Sequence, residues 1–132
     1  MKNIKINLPL QENQISSLNE LINKIAKRQL KDFGNINTDL KPDGTLITEC
    51  DRWSDSKIVE GIKTIAPNEG ILSEEGSKKV PNSSAFWVVD PLDGTTNFAA
   101  GIPYWAISIA RFVNGQPETA LLDIPALNKR II

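Results

Sequence analysis

Trp87-Val88-Val89-Asp90-Pro91-Leu92-Asp93-Gly94-Thr95-Thr96-Asn97-Phe98 is the stretch from which the rest of the chain can be read. It continues an aromatic and β-branched run from Ala85 to Val89 that predicts a buried strand. Pro91 has no N–H to extend a strand's ladder, so the chain must turn there, and Asp90 falls at the strand's carboxyl end. Asp90 and Asp93 can then converge with the Leu92 carbonyl on one cation. Gly94 permits a backbone conformation denied to other residues, and a short helix opening at Thr95-Thr96 would turn free N–H groups toward an anion. The same residues also suit a plain capping and turn pair, since Asp, Pro and Gly are ordinary turn formers.

Upstream, Ile15, Leu18, Leu21, Ile22, Ile25 and Leu30 recur mostly three or four apart, which predicts an amphipathic helix from Asn13 to Asp32 stopped by Gly34. A loop rich in Asn, Asp, Pro and Gly follows. Thr45 to Thr48 reads as a short strand entered from the turn Pro42-Asp43-Gly44, and Asp51 reads as the cap of a second helix ending near Ala66. Gly70 to Ser73 is a brief strand that delivers Glu74 and Glu75. Downstream, strands are expected at Tyr104 to Val113 and Gln116 to Ile124, joined by an Asn114-Gly115 hairpin turn, with a last one opening near Lys129. The fold class is α+β, with two helices packed on a largely antiparallel sheet.

Composition narrows the chemistry. The chain has 132 residues, 40% of them hydrophobic, and a net charge of −1, which fits one domain. No basic block marks a nucleic-acid or anionic-membrane partner. The single cysteine, Cys50, excludes an internal disulfide and fits a small apolar core residue in a reducing compartment. No apolar leader opens the chain and no stretch approaches a membrane span, so a cytoplasmic protein is expected. Histidine is absent, which removes Ser-His-Asp and Cys-His nucleophiles and histidine-bound zinc. Catalysis must therefore use carboxylates, hydroxyls, amines or a hard cation.

The string from Trp87 to Phe98 resembles the signature of the inositol monophosphatase family. Lys41-Pro42-Asp43-Gly44-Thr45-Leu46-Ile47-Thr48 with Asp51 resembles the family's KxDxSPVTxxD element, with Thr45-Leu46 for the commoner Ser-Pro. Ser73-Glu74-Glu75-Gly76-Ser77 resembles its GEES element, and Gly101 to Ile109 resembles the strand after the signature. The resemblance implies the first half of a layered αβαβα fold and a Mg²⁺-dependent phosphomonoesterase, with Mn²⁺ as an alternative ion, inhibited by lithium and acting on an inositol monophosphate-like substrate. It implies that Glu74, Asp90, Asp93 and the Leu92 carbonyl bind cations, that Asp43 with Thr95 activates the attacking water beside a catalytic Glu74, and that Gly94, Thr95 and Thr96 contact phosphate. It also implies a homodimer for the full-length protein.

The family's WDxAAG element, from the second half, is absent: the tryptophans are followed by Ser54, Val88 and Ala106. The expectation is accordingly a single N-terminal α+β metal-binding domain, residues 1–132, of a truncated enzyme. Two alternatives stand beside it. One is a metal-binding or assembly fragment without a complete site. The other is a haloacid dehalogenase-type phosphatase, whose DxDGT motif spaces its aspartates two apart rather than three.

Overall fold

The computed structural model describes residues 9–132, so the reading of the first eight residues as lacking an apolar leader lies outside the described part. Helix α1 spans Glu12–Asp32 and buries Leu18, Ile22, Ile25 and Gln29, spaced four, three and four apart. The expected Leu30 is instead 47% exposed. Helical geometry explains the exchange, because four residues beyond Ile25 the inward face falls on Gln29.

Strands β1 (Thr38–Leu40) and β2 (Leu46–Thr48) form a small antiparallel hairpin around the Pro42-Asp43-Gly44 turn. The sequence reading leaves β1 in the loop, because its three exposed residues carry no alternating pattern to reveal a strand. Helix α2 is Glu49–Ile65, and its N-cap is Thr48, not Asp51. Asp51 is the third helical residue and completes a capping box: its carboxylate accepts the Thr48 N–H while its own N–H donates to the Thr48 hydroxyl. This puts Asp51 inside the first turn, 1% exposed.

Strands β3 (Gly70–Ser73), β4 (Ala85–Asp93), β5 (Ala106–Val113), β6 (Gln116–Ile124) and β7 (Lys129–Ile131) form one sheet in that order. The β3–β4 pair is parallel and the rest are antiparallel. Asn114 and Gly115, both at positive φ, make the tight turn between β5 and β6. Trp87 and Val89 of β4 join Ile107, Ile109 and Leu121 beneath α1 and α2, where Ile22, Ile25, Ile58 and Ile62 complete the main core. Val88 and Asp90 alternate onto the opposite face. β4 does not end at Asp90 as expected: it runs through Pro91 to Asp93, and the proline leaves a register shift against β5 between Asp90 and Asp93, because the ladder can skip one missing N–H and resume at Asp93. A five-residue helix α3, Thr95–Ala99, follows at once. Under this turn lies a second small core of Cys50, Leu92, Phe98 and Trp105. Among the described residues no helix is long and apolar enough to cross a membrane.

Candidate active site

Three elements meet where β4 breaks. The Asp90–Asp93 turn, the loop after β3 and the β1–β2 hairpin bring their polar groups to a cleft of about 330 Å³. Lys41, Asp43, Glu74, Glu75, Asp90, Asp93 and Thr95 are among the residues that line it. Five carboxylates thus line the cleft beside Lys41, with Lys78 close enough to act on Asp43. Burial first, then the charges of Asp93 and Glu74, push the Asp90 carboxyl up to about 6.

The two glutamates do not diverge as neighbours on a strand would. Lys41 Nζ lies 2.7 Å from Glu75 Oε1 and 3.6 Å from Glu74 Oε1. β3 ends at Ser73, so the two-residue alternation of side chains has lapsed by Glu74. Burial lowers the Lys41 ammonium's affinity for its proton, but pairing with Glu75 and then Glu74 outweighs it and holds the group above its ordinary value.

Glu74, Asp90 and Asp93 share the cleft, yet among the described residues no three such side chains gather closely enough to enclose a cation as they stand. Like charges repel, and Lys41 draws the glutamates to itself. The donor chemistry nevertheless fits a hard cation: the groups are carboxylate and carbonyl oxygens, with no nitrogen or sulfur ligand among them.

The Thr95 hydroxyl belongs to Asp51 rather than to Asp43. Thr95 Oγ1 donates to Asp51 Oδ1 at 2.7 Å, and it lies 3.3 Å from the Leu92 carbonyl. Asp51 Oδ2 in turn accepts from the N–H of Thr48 at 3.0 Å and from its hydroxyl. Asp43 sits exposed at the tip of the β1–β2 hairpin, where Oδ1 accepts the Thr45 N–H at 3.0 Å and the Thr45 hydroxyl at 2.6 Å. Those bonds hold its carboxyl below the usual range. The expected Asp43–Thr95 pair is therefore replaced by an Asp51–Thr95 pair. Part of the signal was in the sequence: Thr48 and Asp51, three apart at a helix start, form a capping box that fixes Asp51 inside the domain, though nothing local names Thr95 as its partner.

Gly94 adopts φ +104°, a conformation that L side chains rarely take. An added Cβ would stand 2.9 Å from the Tyr104 carbonyl and 3.3 Å from Trp105. Only glycine fits, and the N–H groups of Gly94, Thr95 and Thr96 begin the α3 turn at the cleft.

This arrangement has close parallels. The sequence is 36% identical over 96 residues to a histidinol-phosphatase of Mycobacterium tuberculosis, covering 73% of this chain and 37% of that protein. The fold superposes on an IMPase of Thermotoga maritima with a TM-score of 0.81 and 31% identity, covering 91% of this chain and 47% of that one. It also matches an IMPase/NADP phosphatase complexed with Mg²⁺ and phosphate, with a TM-score of 0.75; at 22% identity that likeness is one of fold. The chain thus spans less than half the length of these relatives. Residues 9–132 match the inositol monophosphatase family, and with the fold in agreement the haloacid dehalogenase-type alternative falls away: the chain belongs to the inositol monophosphatase family.

Proposed function

We propose that this chain supplies the cation-holding, water-activating half of a phosphomonoesterase site. The observation that carries the reading is the relay from the buried Asp51 to the half-buried Thr95, which lines the carboxylate cleft. A threonine hydroxyl has one proton, and here it goes to Asp51, which leaves the oxygen's lone pairs for a donor on the cleft side. A water there would donate to Thr95. As the water oxygen bonds to phosphorus and the ester P–O bond breaks, one water proton would pass to Thr95 Oγ1 while the Thr95 proton moves to Asp51 Oδ1, and the departing alcohol oxygen would take its proton from solvent. Thr48 holds the far carboxylate oxygen, so Asp51 keeps one orientation throughout.

Glu74, Asp90, Asp93 and the Leu92 carbonyl would hold Mg²⁺, or Mn²⁺ in its place. Such an ion, when bound, neutralises charge on phosphoryl oxygens and makes water a nucleophile near neutral pH. Gly94, Thr95 and Thr96 would receive phosphate oxygens on their N–H groups. Asp43, tied to Thr45 at the rim, would contribute charge rather than accept the proton. The substrate would be a small phosphomonoester of the inositol monophosphate kind, in a soluble, cytoplasmic enzyme that pairs as a homodimer when complete.

The 132 residues alone are expected to bind a cation without turnover, because more than half the length of the relatives lies outside them. The test is phosphate release from inositol 1-phosphate and histidinol phosphate. It would compare this chain with the same chain joined to the second half of a family enzyme. Activity should appear only in the joined protein and vanish with excess chelator or lithium. Full turnover in chelator would overturn the reading.

A further inference from the structure

Gln29 stands out in the interior because it is polar, fully buried and used by neither the cleft nor the proton relay. Its amide joins three elements. Nε2 donates to the Pro91 carbonyl at 2.8 Å and to Ser54 Oγ at 3.0 Å, while Oε1 accepts the Trp105 indole N–H at 2.9 Å. Both amide protons are spent, and the carbonyl is occupied. A polar side chain so completely partnered in an apolar interior specifies one geometry, since any other leaves several groups unpaired.

The geometry it specifies is that of the Asp90–Gly94 turn. The Pro91 carbonyl is drawn inward toward α1 by Gln29, and the next carbonyl, that of Leu92, lies 3.3 Å from Thr95 Oγ1 at the cleft. The Trp105 bond acts on the other side of the turn. Trp105 stacks on Phe33 at 4.8 Å, meets Phe98 edge-on at 5.0 Å, and closes the space behind Gly94. One amide therefore sets the carbonyl between the two aspartates and the wall behind the glycine that follows them.

We infer that Gln29 is a positioning residue, which holds the Leu92 carbonyl and the Asp93-Gly94 backbone in the arrangement needed for cation binding. The inference rests on the proposed reading of the cleft. Removing a partner that orients metal ligands without touching the metal costs about 10- to 100-fold in affinity. A residue that merely tied α1 to α2 would show no such effect on the cation, and Ser54 separates the cases because its hydroxyl shares the α1–α2 bond, while the bonds to Pro91 and Trp105 are made by Gln29.

The experiment is a Mn²⁺ titration of the 132-residue chain, with free ion read by electron paramagnetic resonance, in wild type, Asp90→Asn, Gln29→Leu and Ser54→Ala. Binding should weaken at least tenfold in Asp90→Asn and about tenfold in Gln29→Leu with helix content preserved. Ser54→Ala should stay within about twofold, against the tenfold scale expected of an orienting partner. In parallel, the Trp105 indole N–H resonance should shift when Mg²⁺ is added to wild type and to Ser54→Ala, and lose that response in Gln29→Leu.

Unchanged binding in Asp90→Asn would sink the reading of the cleft itself. A normal response there, with Gln29→Leu binding like wild type, or with Ser54→Ala damaged as much as Gln29→Leu, would overturn the role of Gln29 alone. Should Gln29→Leu fail to fold, a Trp105 resonance in wild type that ignores saturating Mg²⁺ would also overturn it.

Discussion

The chain contains two turns written in nearly the same residues, Pro42-Asp43-Gly44-Thr45 and Pro91-Leu92-Asp93-Gly94-Thr95, and they do different work. Both glycines sit at positive φ, Gly44 at +85° and Gly94 at +104°. In the first turn the acid satisfies itself: Asp43 takes the N–H and hydroxyl of Thr45, and nothing lies within 4 Å of a Cβ placed on Gly44. In the second, the threonine is given to a buried carboxylate from another element, and the glycine is walled by Trp105. Turn chemistry makes an acidic corner in either place. Packing behind the corner decides whether its groups are free to act on something else.

The largest expected effect tests that difference at the acids. In the joined enzyme, Asp51→Asn should lower kcat by about 10²- to 10⁴-fold, the range for loss of a general base. Asp43→Asn should stay within about threefold, since its carboxylate is engaged locally and contributes only charge at the cleft rim. Phosphate-release kinetics on the two variants would decide it. A collapse in Asp43→Asn with near-normal turnover in Asp51→Asn would restore the pairing expected from sequence and undo the contrast.

The glycines should differ less, and in stability rather than turnover. Gly44→Ala places a methyl in open space at positive φ, for about 1 kcal/mol. Gly94→Ala adds to that strain a contact 2.9 Å from the Tyr104 carbonyl, a backbone atom that cannot swing aside. Strain and overpacking together should cost about 3 kcal/mol or more. Urea unfolding of the two variants would compare them, and equal midpoints would mean that Trp105 yields easily and the second turn is no stiffer than the first.

The comparison also explains what could be read in advance. The order of helices and strands, β1 aside, was legible because the core residues carry the period of their own element: Leu18, Ile22, Ile25, Ile58 and Ile62 on the helices, and Trp87, Val89, Ile107 and Ile109 on the strands. The residues after Asp90 announced a short helix, which is present, and a strand end at Asp90, which is not: β4 continues to Asp93 with a register shift. Partners remote in sequence were not legible. Thr95 and Asp51 lie 44 positions apart and Gln29 and Pro91 lie 62 apart, and no local pattern ties them together. Asp43 is singled out in the sequence only by the resemblance of Lys41 to Thr48 to the family element, and the local Thr45 is what occupies it.

The smallest effect concerns charge in the second turn. Asp90, half-buried beside Asp93 and Glu74, has its carboxyl raised from the ordinary 3.8 to about 6. Between those values the folded chain holds a proton that the unfolded chain has released, so stability is greatest below about pH 4 and falls as pH rises through about 6. Two units correspond to about 3 kcal/mol at full strength, and solvent screening of a half-exposed group should leave about 1 to 2 kcal/mol. Asp43 works in the opposite sense: its carboxyl is held low, so whatever it contributes is present at neutral pH and lost as pH falls. Thermal unfolding in chelator, from about pH 4.5 to about 7.5, should therefore show wild type losing ground relative to Asp90→Asn as pH rises. Mg²⁺ should restore wild type but not the variant, because an ion that binds only the folded chain stabilises it in proportion to its occupancy. Parallel curves for the two proteins, with and without Mg²⁺, would mean that Asp90 is as freely solvated as Asp43, and the contrast between the turns would then rest on their hydrogen bonds alone.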